Sequence, residues 1–152
     1  MGGLKQTGNY KLDCRFNKPK LIEKIRRIEK YKHRIHLYNQ DAVKFMTNMD
    51  KTLPSNSIFC IDPPYYNKGS TLYTNFYQPK DHAELSNTVM KLKTPWILTY
   101  DNANEIRELY KTLTHYNFYL NYSAAQKRIG TELFIASPKV RITSDLGLEK
   151  IA

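Results

Sequence analysis

From Lys20 to Lys32 the apolar residues recur at helical spacing. Leu21, Ile22, Ile25 and Ile28 make one stripe, and Lys24, Arg26, Arg27, Lys30 and Lys32 cover the remainder. Arg34-Ile35-His36-Leu37-Tyr38 alternates instead, which predicts a strand ending at Asn39-Gln40-Asp41. Ala42 to Met49 returns to helical spacing behind Asp41, a residue suited to a helix N-cap. After the turn residues Pro54-Ser55-Asn56-Ser57 comes a short continuous apolar run, Ile58-Phe59-Cys60-Ile61. Such a run suits a strand covered on both faces of a parallel sheet. A polar, aromatic loop from Asn67 to Lys80 leads to a helix over about Asp81 to Lys91. Pro95 to Tyr100 predicts a second buried strand, and Asn104 to Thr112 a helix with Ile106, Leu109 and Tyr110 turned inward. Phe118 to Tyr122 and Glu132 to Ala136 read as a closing antiparallel pair joined through Ser123 to Thr131. The tail after Pro138 carries little pattern. Strands alternating with helices predict an α/β fold with a mostly parallel sheet, and neither a repeat nor a linker divides the chain.

Length and composition narrow the class. One domain is expected from 152 residues, of which 41% are hydrophobic and 25% charged. No apolar run is long enough to span a membrane, and the opening residues do not form a secretion signal. Cys14 and Cys60 cannot build a disulfide framework or a four-thiolate zinc site, and the four histidines show no metal-ligand spacing, so no metal is expected. An intracellular protein is expected. The formal net charge is +10 and tyrosine occurs 12 times, a combination suited to phosphates and stackable bases.

Chemistry concentrates at Asp62-Pro63-Pro64-Tyr65, directly after the apolar run. In open α/β sheets, ligands bind at the carboxyl ends of the strands. A given tetrapeptide occurs by chance in roughly one in a thousand chains of this length. The exocyclic amine of a purine is a poor nucleophile because its lone pair is delocalised into the ring. A carboxylate and a backbone carbonyl accepting its two N–H bonds would localise that lone pair toward an incoming methyl group. Asp62 supplies the carboxylate, and the Pro63 carbonyl is the matching second acceptor. Successive prolines restrict the backbone that holds them. Tyr65 offers a face on which an extruded base can stack. The alternative is a stiff Asp-Pro turn with Tyr65 as a packing residue.

The stretch Ile58 to Tyr66 resembles the catalytic motif of the DNA adenine N6-methyltransferases of the Dam-like, D12 class family. Arg15-Phe16-Asn17-Lys18 is similar to the segment closing that family's target-recognition region. Leu72-Tyr73, Phe76-Tyr77, Asp81-His82, Trp96 to Asp101, Glu105 to Tyr110 and Thr131 to Ile135 resemble its later elements, so the likeness spans residues 8 to 137. It implies a partial Rossmann-like class I methyltransferase sheet. Residues 1–20 would be a remnant of the recognition region, 21–138 the catalytic subdomain and 139–152 a tail. It implies S-adenosylmethionine as methyl donor, DNA as substrate, and a place in restriction-modification within the cytoplasm of a bacterial or phage-infected cell. Asp62, Pro63, Pro64 and Tyr65 would be catalytic, with Asp62 also near the methionine end of the cofactor. Asn39 and Asp41 match the region touching the cofactor's adenine, although Asp41 is equally explained as a helix cap. Arg15, Lys18, Lys68, Lys127 and Arg128 are candidate phosphate contacts. Tyr73, Phe76 and Tyr77 stand in the loop that would lie over the flipped base, or else pin that loop as an apolar cluster. His82 is expected to brace its helix.

The family's cofactor-binding half opens with a Phe-x-Gly-x-Gly loop. None of Gly2, Gly3, Gly8, Gly69, Gly130 and Gly147 forms such a loop after an apolar strand. The cofactor pocket is therefore expected to be incomplete. Three readings follow: a split enzyme completed by a separate cofactor-binding half or a second copy, a truncated inactive remnant, or a DNA-binding or partner-binding module that keeps the scaffold.

Overall fold

A computed structural model describes residue 7 and residues 16–67, 69, 74, 76–122 and 128–151. The chain divides into two compact units, Met1–Asn39 and Gln40–Ala152.

In the first unit, helix α1 spans Lys18–Glu29. Asn17 caps it by accepting the Lys20 N–H at 3.1 Å, and Pro19 sits in the first turn where its missing N–H costs nothing. The helix thus starts and ends earlier than its apolar spacing predicts. Its stripe is exposed: Ile25 and Ile28 are 66% and 57% accessible. The predicted strand Arg34 to Tyr38 is absent. Lys32–Arg34 forms a 3-10 turn, and the chain then runs on without a ladder partner among the described residues. An alternating segment becomes a strand only where a neighbour takes its backbone groups.

The second unit begins with α2 (Ala42–Met49), capped as expected by Asp41, whose carboxylate accepts the Lys44 N–H at 3.0 Å. Then follow β1 (Phe59–Ile61), α3 (Pro79–Val89), β2 (Trp96–Asp101) and α4 (Asn104–Leu109). Strands β3 (His115–Tyr122), β4 (Arg128–Ala136) and β5 (Glu149–Ile151) complete a five-stranded sheet of order β1-β2-β4-β3-β5. Asp50, just past α2, ties that helix to the approach of β2. Its carboxylate accepts the backbone N–H groups of Lys93 and Thr94, the latter at 2.8 Å. Burial raises its pKa, but these bonds outweigh that and hold it below the usual carboxylate value.

The expectation of a mostly parallel sheet is corrected. Only β1 and β2 pair in parallel, joined through α3; β2–β4, β3–β4 and β3–β5 are antiparallel. The hairpin β3–β4 inserts its second strand between β2 and β3, so strand–helix alternation describes only the first part of the sheet. The expectation that Ile58 to Ile61 is covered on both faces is also corrected. Phe59 is buried, but Cys60 is exposed and Ile58 is 49% accessible, because β1 is the sheet's edge. The patternless tail holds β5, whose three residues are too few for a periodicity to show. It is preceded by a 3-10 turn (Ser144–Leu146) and by Gly147 at φ +64°, a backbone state that favours glycine.

One face of the sheet carries the core. Trp96, Leu98 and Tyr100 alternate inward from β2 and meet Leu133 and Ile135 from β4. Leu85 and Val89 from α3, Ile106 from α4 and Met46 from α2 close over them. Leu98→Ala removes a fully buried side chain at the sheet's centre. A loss of about 2–5 kcal/mol in denaturant unfolding is expected, with an unchanged slope.

Candidate active site

Ile61 lies opposite Leu98 in the parallel pair, so the next residues, Asp62 and Thr99, fall side by side. The Thr99 hydroxyl donates to Asp62 Oδ1 at 2.8 Å. Asp62 is exposed at the carboxyl end of β1, and Oδ2 has no partner among the described residues. Pro63 is buried, while Pro64 and Tyr65 are half-buried.

The chain after the prolines is held by the end of β2. Asp101 accepts the Tyr66 N–H on Oδ1 at 2.7 Å and the Asn67 N–H on Oδ2 at 2.8 Å. Opposite Asp101 in the β2–β4 ladder stands Glu132, whose Oε1 accepts the Tyr65 hydroxyl at 2.5 Å. Both carboxylates are buried, at 8% and 5% exposure. Like charges facing each other across a ladder are normally unfavourable. Here each takes charge-assisted hydrogen bonds from the same loop, which is how a buried charge is tolerated.

Behind the loop, His82 of α3 is 1% exposed. Its Nδ1 is hydrogen-bonded to the Tyr100 hydroxyl at 2.8 Å, and its ring packs against Tyr66 and Tyr77 with centroids 5.0 and 5.3 Å away. Nε2 is buried with no hydrogen-bond partner among the described residues. Burial pushes the imidazole pKa below its ordinary value, and the charges of Asp101 and Asp81 only partly oppose it. Burial likewise pushes the Tyr100 phenol far up, helped by nearby Tyr110, Tyr77 and Asp101. The cluster stays neutral at physiological pH.

Beside the loop is an apolar slot of about 290 Å³ between α2, β1 and α3, lined by Phe45, Met46, Cys60, Pro63, Tyr77 and Leu85 among others, with Asp62 at its wall. Asp41 lies close enough for its charge to raise the Tyr77 phenol, behind the larger effect of burial.

Of the residues predicted from sequence, Asp62, Pro63 and Tyr77 line this slot together, and Pro64 does so too. Tyr65 turns instead to Glu132. Asp41 caps α2. Phe76 is 43% accessible. Asn39 and Lys18 are exposed and belong to the first unit. Arg15, Lys68, Tyr73 and Lys127 lie outside the described residues. Arg128 opens β4 rather than sitting in a loop before it; its side chain is outside the description. Thr99, Asp101 and Glu132 were missed. The available signal was position: Thr99 and Asp101 stand two apart at the carboxyl end of a strand beside the motif's own strand. Among the described residues no helix is long and apolar enough to cross a membrane, and no group of three or more potential metal ligands comes together.

A carboxylate, two prolines and an aromatic ring thus follow one another at the carboxyl end of β1 in a mixed α/β sheet. The family model for the D12 class N6 adenine-specific DNA methyltransferases matches residues 5–125, and the chain belongs to that family. No curated protein matches it.

Two outcomes follow from this geometry. Asp101→Asn replaces one acceptor oxygen with an amide donor facing an N–H. Amide exchange at Tyr66 or Asn67 is expected to quicken at least tenfold, while amides in β4 keep their protection; unchanged exchange at both would show that the carboxylate does not hold the loop. For His82, the unfolded chain binds a proton more readily than the folded one. Stability is therefore full above pH about 6.5 and falls as pH drops below it, and His82→Gln should flatten the melting temperature between about pH 5 and 7.

Proposed function

We propose that the chain carries the catalytic residues for transfer of a methyl group from S-adenosylmethionine to the N6 amino group of an adenine extruded from DNA. The observation that carries this reading is the exposed Asp62 carboxylate, with one oxygen fixed by Thr99 and the other without a partner among the described residues. The free oxygen accepts one amino N–H and the Pro63 carbonyl accepts the other. The amine's lone pair then points away from the ring, as in-line attack requires. Buried Pro63 keeps the two acceptors at a set separation. Tyr65, tethered through its hydroxyl to Glu132, holds its ring for stacking on the base. The half-buried Tyr77 lines the slot beside Asp62, and the exposed Phe76 would lie over the base. No covalent enzyme intermediate is needed. The proton released from the amine passes to solvent by way of the exposed Asp62.

The apolar slot fits the adenosyl part of the cofactor: it is lined by aliphatic and aromatic side chains and has a carboxylate at its wall. When bound, S-adenosylmethionine supplies an electrophilic methyl group on a sulfonium. Asp62 would lie near its methionine end, with Asp41 toward its adenine. We propose further that a separate polypeptide segment or a second copy completes the pocket. The uncovered edge of β1 supports this, because an apolar edge strand without a neighbour is open to pairing. Lys18 and the other cations of the first unit would contact phosphates. The biological setting is methylation of bacterial or phage DNA within restriction-modification.

The test is transfer of labelled methyl from S-adenosylmethionine to an adenine-containing duplex, with calorimetric titration of the cofactor alongside. N6-methyladenine is the expected product. Asp62→Ala should lose at least a hundredfold in rate with an unchanged melting temperature. Equal transfer by that variant, or methylation of cytosine, would overturn the mechanism.

A further inference from the structure

The turn after α4 uses up its backbone acceptors and keeps side-chain donors free. The Glu108 carbonyl accepts the Lys111 N–H, and the Leu109 carbonyl accepts the Ser86 hydroxyl at 3.4 Å. The Tyr110 carbonyl accepts the Leu113 N–H at 2.9 Å and Nε2–H of the buried His115 at 3.0 Å. In contrast, the hydroxyls of Thr112 and Thr114, the Lys150 amine and the terminal nitrogens of Arg107 have no partner among the described residues. Spent acceptors beside unspent donors favour an anion.

These groups border one cavity of about 540 Å³ between the end of α4, the start of β3 and β5. Leu113 and Ile151 give it an apolar wall. Three cations, Arg107, Lys111 and Lys150, stand against one carboxylate, Glu108, which pairs with Lys111. Both members of that pair are exposed, and such a pair is worth little, so Lys111 is free to turn to a stronger anion.

The cavity is remote from Asp62. Strand β5 is the far edge of the sheet, four strand spacings or about 19 Å from β1. Hydrogen bonds nevertheless join the two regions. Arg107 Nε donates to Asn102 Oδ1 at 2.8 Å, and Asn102 Nδ2 donates to Asn117 Oδ1 at 2.9 Å. Asn102 directly follows Asp101, whose carboxylate holds the N–H groups of Tyr66 and Asn67.

We propose that this cavity binds a small phosphate monoester of nucleotide size. The two terminal nitrogens of Arg107 meet two phosphate oxygens in the bidentate geometry that guanidinium favours. Lys150 and Lys111 add charge, and the Thr112 and Thr114 hydroxyls donate to the remaining oxygens. The apolar wall takes the organic body, and the volume lies within the usual range for small-molecule sites. A bound ligand fixes Arg107 and, through Asn102, steadies the end of β2 that holds the loop after Pro64. The ligand is independent of the transfer proposed at Asp62.

The 5′-phosphate of a DNA end offers the same chemistry, and the experiment separates the two sources. The full chain is titrated calorimetrically with uridine 5′-monophosphate, inorganic phosphate and a short 5′-phosphorylated duplex, with amide shifts locating the ligand. The uridine base keeps the probe distinct from an adenosyl group. The nucleotide should bind about tenfold more tightly than inorganic phosphate and shift the amides of Thr112 and Thr114. Arg107→Gln and Lys150→Gln should each weaken it by about tenfold. Lys150 is exposed, so its variant should keep the wild-type melting temperature even where loss of the Arg107–Asn102 bond lowers that of the other. Saturation should slow amide exchange at Tyr66 and Asn67 in the wild type and leave it unchanged in Asn102→Ala. No binding at millimolar nucleotide, equal binding by both variants, or binding confined to the duplex overturns the assignment. Binding without any change in exchange at Tyr66 and Asn67 overturns the link to the loop.

Discussion

The candidate site depends on a single carboxylate. Asp101 has two oxygens and the loop after Pro64 has two consecutive N–H groups, of Tyr66 and Asn67, each bonded to one of those oxygens. At 8% exposure, the Asp101 carboxylate is satisfied by those donors, and each donor has Asp101 as its partner among the described residues. Strand end and site loop therefore exist as one unit. Glu132, its neighbour across β4, repeats the arrangement with the Tyr65 hydroxyl, and Thr99 does so on Asp62. Thr99, Asp101 and Glu132 thus hold Asp62, Tyr65, Tyr66 and Asn67, and the two prolines between them restrain themselves.

Behind that loop the packing is aromatic and neutral. His82 sits among Tyr66, Tyr77 and Tyr100, with one ring nitrogen bonded and the other buried with no hydrogen-bond partner among the described residues. Charging the ring would place a cation in a desolvated pocket, so the same burial that lowers its pKa keeps the loop's backing uncharged. The His82 ring packs its helix against the loop through Tyr66 and Tyr77.

Legibility followed the range of the interactions. The cap of α2 by Asp41 and the pairing of β3 with β4 rest on contacts between residues near in sequence; the cap is where its pattern predicts, while both strands of the hairpin begin earlier, at His115 and Arg128. The position of the motif Asp62 to Tyr65 at a strand end was legible because it follows a short apolar run bounded by prolines. Asp101 and Glu132 were not, since a carboxylate at a strand end reads as an ordinary polar boundary until register sets it against a particular loop. The sheet's direction failed for a related reason: a hairpin can fold its second strand outward or between its predecessors, and local periodicity is the same in both cases.

The sequence by itself determined the family, the motif Asp62 to Tyr65 at a strand end, the basic balance, and most of the helices and strands, because these follow from residue identity and short-range spacing. Only the tertiary structure decided that β1 is an edge, that β4 lies between β2 and β3, and that Thr99, Asp101 and Glu132 converge on one loop. Those outcomes are set by strand order and register, which are chosen by the sum of many long-range contacts.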